Sequence, residues 1–265
     1  MSRVVTDPAW RHRAIVAAFL VLSTGGRANA DCAFEPQGEG RVADVIDGRS
    51  FRLDDGREIR LAAIELPEAR KEAGNARGAA ALQAIIGGRD VTLHGEDDVP
   101  DRYGRQPAFV FVTGSEIPVQ AVLLRRGEAL FSATVADKDC AAALAAAEAS
   151  ARRVKLGTWA EPAAIKNAES PGDILAGIGR FTVVEGRVLS VRQAGATTYL
   201  NFGRNWTRDF AATISRRMMP AFEAAGLGAK SLENRRIRVR GYVWSRGGPR
   251  IELLGVGQIE VLGGN

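Results

Sequence analysis

Histidine and cysteine are scarce in this chain, which limits the metal sites and nucleophilic mechanisms that it can build. The 265 residues include two histidines and two cysteines. If residues 1–30 are removed, as argued below, His94 is the only histidine left. A tetrahedral zinc site draws four ligands mainly from Cys and His. Two cysteines and one histidine are too few, so a zinc site of this kind is excluded. A Ser-His-Asp or Cys-His mechanism would depend on His94, which we interpret as a strand residue.

Long apolar runs are also missing at the N-terminus. The apolar stretch Ala14–Ser23 has ten residues, whereas a membrane-spanning helix needs about 20. It follows the basic segment Arg11–Arg13 and precedes Ala28–Ala30, which has the small-x-small pattern of a signal-peptidase site. We therefore expect residues 1–30 to be a signal peptide, with the protein periplasmic or secreted and not stably associated with a membrane. The alternative is a membrane anchor.

Export would place the two cysteines, Cys32 and Cys140, in an oxidising compartment where disulfides persist. Cys32 stands at the expected mature N-terminus, and Cys140 near the start of an Ala-rich helix. We expect one bridge between them. Two unpaired thiols remain the alternative, because the sequence does not give the distance between their Cα atoms.

Charge is divided unevenly along the chain, although the net charge is only +5. Residues 31–177 carry 18 basic and 24 acidic residues, whereas residues 178–265 carry 14 basic and 6 acidic residues. The split suggests two domains and an anionic partner for the second. We place the domains at 31–160 and 178–265, with a linker at 161–177. This segment has a linker-like composition, with Pro162, Lys166, Asn167, Ser170, Pro171, Gly172 and Asp173.

Alternating apolar residues and turn signals predict an α+β chain that is mainly β. In the first domain the predicted strands are 40–53, 58–64, 91–95 and 108–112, and the predicted helices are 75–86, 118–126 and 137–155. The second domain is predicted to have strands at 181–192, 197–202, 210–215, 235–244 and 250–254, with a helix from 220 to 225. This second order suits a smaller OB-like barrel.

Three segments of the first domain belong together: Val45–Phe51, Ile59–Glu68 and Asp101–Arg105. Read in order, they resemble the active-site frame of the staphylococcal-nuclease (thermonuclease) family, over about residues 40–160. The resemblance implies that the first domain is an OB-fold barrel with helices packed on one side. It also implies hydrolysis of phosphodiester bonds in nucleic acid.

The resemblance assigns site residues one by one. Arg60 and Arg105 match the two arginines that hold the phosphate, a task suited to their planar, permanently charged guanidinium groups. Glu68 matches the catalytic glutamate, which acts as general base or positions the water. Tyr103 lies where the family motif has its tyrosine, in the substrate-binding part of the site.

The family's calcium site is altered in this sequence. Arg49 stands where the family has a carboxylate ligand, and Glu65 stands where it has an aspartate. Asp47 matches an outer-shell position. Calcium prefers six to eight oxygen ligands. We therefore expect either calcium or another divalent cation, if the protein is active, or no metal at this altered site. Arg49 either pairs with Glu65 in the metal pocket or points to the substrate phosphate.

In the second domain, Arg236, Arg238 and Arg240 alternate along one predicted strand and so share a face. Several aromatic residues lie nearby in the sequence, including Tyr242 and Trp244. The pattern predicts a basic groove with stacking platforms for single-stranded nucleic acid. A solvated basic face with aromatics in the barrel core remains the alternative.

Two functions follow from these patterns. The chain is either a monomeric exported nuclease that uses Arg60, Arg105 and Glu68, or a catalytically impaired relative. The impaired relative would bind nucleic acid, either DNA or RNA, or another polyanion through its basic C-terminal domain.

Overall fold

The computed structural model describes residue 1, residue 32 and the ranges 34–67, 71–96 and 99–263, with the side chains of residues 71–75 left aside. Apart from Met1, the predicted signal peptide lies outside the described residues. None of the helices in this described part has the length and apolar character that a bilayer crossing requires.

Within the described residues, the first domain contains seven strands and three helices. Their bounds are β1 (Glu35–Asp47), β2 (Ser50–Leu53), β3 (Glu58–Leu61), β4 (Ile64–Glu65), α1 (Lys71–Ile86), β5 (Asp90–Gly95), β6 (Gln106–Val112), α2 (Val119–Arg125), β7 (Leu130–Phe131) and α3 (Lys138–Arg153). Five of the strands close into a barrel in the order β1-β2-β3-β6-β5, and β4 pairs with β7 beside it. The predicted mainly-β fold with an OB-type barrel is confirmed.

Residue alternation explains how the barrel forms. Phe51, Leu53, Ile59 and Leu61 point inward and are fully buried, while the residues between them face outward, as the period of two in a strand requires. The strand β3 runs parallel to β6, and the other neighbouring strands of the barrel are antiparallel. Helix α1 begins four residues before the predicted start at 75.

The predicted disulfide between Cys32 and Cys140 is present, with 4.6 Å between the two Cα atoms. Cys140 lies in the first turn of α3, whose start is capped by Asp137: the carboxylate accepts a hydrogen bond from the backbone N of Cys140 at 2.7 Å. The bridge therefore fixes the segment before β1 to the N-terminal end of α3.

The second domain repeats a barrel-like strand arrangement. Its elements are β8 (Ile165–Asn167), α4 (Pro171–Leu175), β9 (Phe181–Arg187), β10 (Ser190–Ala194), β11 (Thr197–Asn201), β12 (Ala211–Ser215), α5 (Met219–Ala224), β13 (Arg236–Arg246), β14 (Gly248–Leu253) and β15 (Ile259–Val261). The strands are ordered β10-β11-β12-β14-β13-β9-β8, with β15 on β13. If β9 and β10 are taken as one bent strand, this is the strand order of the first barrel.

The shared tetrapeptide Glu-Gly-Arg-Val marks equivalent bends in the two domains. It begins at Glu39 in β1, where pairing changes from β5 to β2, and at Glu185 in β9, just before pairing changes from β13 to β11. A Cβ added at Gly40 would lie 2.9 Å from the Leu53 side chain, and one at Gly186 would lie 2.4 Å from Cβ of Ala168. Both positions therefore favour glycine.

The segment 161–177, predicted to be a linker, is part of the second domain. Strand β8 pairs in parallel with β9, and Ile174 of α4 is fully buried in the second core. The prediction rested on a linker-like composition that includes two prolines, but Pro162 begins a 3-10 turn and Pro171 begins α4. Proline is well suited to the first turn of a helix, so here it starts structure rather than interrupting it.

The two domains pack against each other through a small apolar cluster. Leu130, Ala151 and Trp159 of the first domain meet Phe181 and Val183 of the second, and all five are buried. This contact brings one edge of the second barrel to the open end of the first.

Candidate functional site

The residues singled out in the first domain meet at one end of its barrel. Arg60 lies on β3 and Glu65 on β4. The others lie on the turn between β1 and β2 and on the loop between β5 and β6, the two loops that OB barrels most often use for ligands. Gly48 makes this turn possible, because an added Cβ would lie 2.7 Å from Leu66 and 3.0 Å from the backbone of Gly78. Asp47 holds the turn by accepting a hydrogen bond from the backbone N of Arg49 at 2.8 Å.

Arg49 pairs with Glu65, as the first of the two expected arrangements requires. Its guanidinium donates to the carboxylate of Glu65 and lies 3.5 Å from the carbonyl oxygen of Ile64. The two side chains are 18% and 11% exposed. Glu65 is positioned by β4, where it pairs with Leu130 of β7. A positive group therefore occupies the place that the resemblance gives to a metal-binding carboxylate.

The remaining charges continue this pair into a row of alternating sign. Arg60 lies 3.4 Å from Glu65 and 3.7 Å from Asp101, and Arg105 donates to Asp101 at 2.7 and 3.0 Å. The sequence predicted Arg60 and Arg105 as a phosphate clamp, and the structure brings both to one carboxylate, that of Asp101. Both arginines keep part of their surface open, at 25% and 20% exposure.

Asp101 organises the loop that carries Arg105. Its second carboxylate oxygen accepts hydrogen bonds from the backbone N of Tyr103 and of Arg105, at 2.9 and 3.1 Å. The side-chain hydrogen bond from Arg105, followed by these backbone bonds, lowers the pKa of Asp101 to about 2. Tyr103 is 64% exposed, and the Arg105 guanidinium lies 5.1 Å from its ring centroid. The predicted tyrosine therefore lies at the rim of the site.

Tyr242 enters this site from the second domain, which the sequence did not predict. It lies on β13, and its hydroxyl interacts with Glu65 and Arg49. Burial, and after it the negative charge of Glu65, raise the pKa of Tyr242 above its ordinary value of 10.0. The alternation of β13 was the only signal in the sequence, because it places Tyr242 on the same strand face as Arg240.

A cleft of about 420 Å³ lies between the two domains at this point. Arg60, Glu65 and Asp101 line one wall, and Tyr242 and Trp244 line the other. The site is therefore built by both domains. Glu68, predicted to be the catalytic glutamate, lies outside the described residues.

The three arginines predicted to form a basic groove are instead engaged in ion pairs. They do share one face of β13, but that face turns toward the first domain, and Arg238 and Arg240 are 9% and 5% exposed. Each of the three is paired with a carboxylate, and only Arg236 keeps an open side chain, at 62% exposure, so the three do not form an open grip for a polyanion. The pairs are Arg236 with Glu185, Arg238 with Glu185 and Glu260, and Arg240 with Glu148.

The closed barrel, with charged groups on these two loops, defines the first domain as an OB-fold domain. Residues 58–161 match the sequence model of the family described as staphylococcal nuclease homologue. The matched range includes Arg60, Glu65 and Asp101 but begins after Arg49. A comparison with curated proteins found no match.

Proposed function

We propose that this protein binds nucleic acid at the open end of the first barrel without calcium, and does not cleave it by the family's calcium-dependent route. The observation that carries the proposal is the ion pair between Arg49 and Glu65. It uses the second carboxylate of the family's site to neutralise a guanidinium. A cation arriving there would have to displace Arg49 and then remain close to its charge.

Placing a calcium ion next to the Arg49 guanidinium would cost a large electrostatic free energy. Exchanging a carboxylate for a guanidinium alters the site by two charge units, and each unit is worth about 4 kcal/mol at 4 Å and an effective dielectric constant of about 20. Among the described residues, no group of three or more His, Cys, Asp or Glu side chains is arranged to hold a metal ion. The residues present do not fit calcium held in the family's manner, so we assign no metal-activated water to this site.

Phosphate binding remains possible because a guanidinium has five N–H donors. Arg60 and Arg105 use only some of these donors on Asp101 and Glu65, and both side chains are partly exposed at the cleft. Phosphate oxygens would compete with the carboxylates for the same cations. We therefore expect binding that weakens steeply with salt, as contacts to phosphate do in general.

Export is part of the same proposal. The disulfide between Cys32 and Cys140 supports it, because such bridges persist in oxidising compartments and are rare in the cytosol.

Exchange of Arg49 tests the proposal. Calcium binding is measured by calorimetry, and cleavage of a single-stranded oligonucleotide is followed with calcium, magnesium or manganese. The wild type is expected to bind the oligonucleotide, but neither to bind calcium nor to cut. Arg49→Asp restores a carboxylate and is expected to gain calcium binding. Arg52→Asp is the matched control, since Arg52 is an exposed residue of β2 paired with Asp44 and Glu58.

Calcium-dependent cleavage by the wild type that is abolished in Arg60→Ala would contradict the proposal and make the protein an ordinary nuclease. A wild type that binds no oligonucleotide at low salt would also contradict it. Arg41→Ala serves as the control for Arg60→Ala, because Arg41 is an exposed residue of β1 paired with Asp90.

A further inference from the structure

The outward face of β13 changes its surroundings along the strand. Arg240 is buried against the first domain, Tyr242 reaches Glu65 in the site, and Trp244 lies beyond them with 38% of its surface exposed. Alternate residues of a strand share a face, so these three side chains form one line. The line leads out of the cleft onto the second barrel.

Arg250 continues this line to the next aromatic ring. Its guanidinium lies 6.0 Å from the ring centroid of Trp244, its register partner, and 5.0 Å from that of Tyr199. Arg250 as a whole is 7% exposed, and its guanidinium donates to the carbonyl oxygen of Arg246 at 3.1 Å. Ala211, the neighbour of Arg250 on β12, is too small to block the contact with Tyr199. Arg250 therefore contacts the rings of both Tyr199 and Trp244 and helps to fix their positions.

A second cation–aromatic pair extends the row. Arg192 is the register partner of Tyr199, and its guanidinium lies 5.9 Å from the ring centroid of Trp206. Trp206 is 62% exposed, which is costly for an indole that contributes nothing to a core. The row of Tyr242, Trp244, Tyr199 and Trp206 is called the aromatic row below.

The charges beside the aromatic row are mainly positive. Residues 178–265 hold 14 basic and 6 acidic residues, and several of the arginines are exposed on the strands and loops that carry the row. These are Arg192, Arg204, Arg208 and Arg246. An anionic ligand with flat, apolar groups matches both properties.

We propose that the aromatic row is a binding track for single-stranded nucleic acid, which leads the strand into the cleft at Arg60. Bases stack on the rings, and phosphates meet the exposed arginines, the mode by which OB folds hold single strands. A duplex is excluded as the fitting partner because its bases are stacked on each other and do not offer their faces. The inference rests on the proposed function, since the track ends at the phosphate-binding arginines.

The test uses the full-length protein and a labelled oligothymidylate of about 12 nucleotides, within the site size of an OB fold. Fluorescence anisotropy at low salt gives the affinity. Trp206→Ala and Trp244→Ala are each expected to weaken binding about 5-fold or more, because stacking contributes that much per base. Trp206→Phe and Trp244→Phe keep a stacking face and are expected to remain close to the wild type. Leu189→Ala, at an exposed apolar residue of the same barrel, is the matched control.

The outcomes separate this inference from the proposed function. A wild type that binds the oligonucleotide, with alanine variants that bind equally well, overturns the track and leaves the proposed function standing. A wild type that does not bind overturns both. A duplex or heparin bound as tightly, with the same loss in the alanine variants, overturns the assignment to single strands. Urea unfolding of each variant confirms that lost binding is not lost folding.

Discussion

The guanidinium of Arg240, in the second domain, bonds both carboxylate oxygens of Glu148, on α3 of the first domain, at 3.0 and 2.8 Å. Both groups also hold Phe131: Arg240 donates to its carbonyl oxygen, and Glu148 accepts from its backbone N. Phe131 pairs with Ile64 in the two-residue ladder that positions Glu65. The contact between the domains is therefore connected directly to the site.

Removing one charge of this pair is expected to destabilise the protein strongly. Glu148 is 1% exposed, and Glu148→Gln leaves Arg240 buried without a counter-charge, which costs about 3–5 kcal/mol. The double variant Glu148→Leu, Arg240→Met removes both charges and is expected to lose less than the sum of the single changes Glu148→Leu and Arg240→Met. Urea unfolding of the wild type, these two single variants and the double variant gives the coupling. Arg77→Ala, at an exposed pair with Glu128, is the control and is expected to cost about 1 kcal/mol or less.

Loss of the disulfide is expected to lower the free energy of unfolding by about 2–5 kcal/mol, because the bridge closes a loop of 108 residues and so restricts the unfolded chain. The comparison is between urea unfolding with and without a thiol reductant. The double variant Cys32→Ser, Cys140→Ser is the control, and its stability should not respond to the reductant. An equal response in both proteins would show that the reductant acts elsewhere.

Acid is expected to destabilise the loop between β5 and β6 through Asp101. Its pKa is lowered from 3.8 to about 2 in the folded protein, so its stabilising effect is fully present above pH 4. The effect is lost as the pH falls from about 4 toward 2. Asp101→Asn should remove this part of the acid dependence. The expected change in the free energy of unfolding is about 1 kcal/mol or less, because water reaches the pair. Urea unfolding at pH 2 to 5 compares Asp101→Asn with the wild type, with Asp44→Asn as the control, and an Asp101→Asn profile identical to that of the wild type would contradict the prediction.

Alkali is expected to act through Tyr242. Its pKa is raised in the folded protein above 10.0, so the folded state keeps a proton that the unfolded state releases. The resulting stability is present below about pH 10 and is lost as the pH rises further. Tyr242→Phe is expected to remove this dependence, and Tyr199→Phe, the control, is expected to keep it. Urea unfolding between pH 8 and 11 gives the stability of each variant and of the wild type. A Tyr242→Phe profile that matches the wild type would show that Tyr242 does not cause the loss of stability in alkali.

Local patterns in the sequence were sufficient for much of the fold. The alternation of Phe51 and Leu53, the turn at 54–56 and the helix preceding Gly87 all predict elements that the structure contains. Period and turn chemistry act over a few residues, so a single sequence carries them. The topology of the first barrel depended on the family motifs as well.

Local sequence patterns do not determine long-range contacts. The alternation of Arg238 and Arg240 correctly predicts a shared strand face, but Glu148, which covers it, is 92 residues from Arg240. Nothing local shows whether a basic face meets solvent or a buried carboxylate. For the same reason Tyr242 could not be placed beside Glu65.

Strand β13 has one consequence for how the protein tolerates change. Its outward residues dock the two domains, complete the site and begin the aromatic row, while Ile237, Val239 and Val243 fill the second core. The side-chain period of a strand is two, so shifting the register by one residue exchanges these two sets. A single inserted residue early in β13 would therefore abolish docking, site and track together, and this strand should accept substitutions far more readily than insertions.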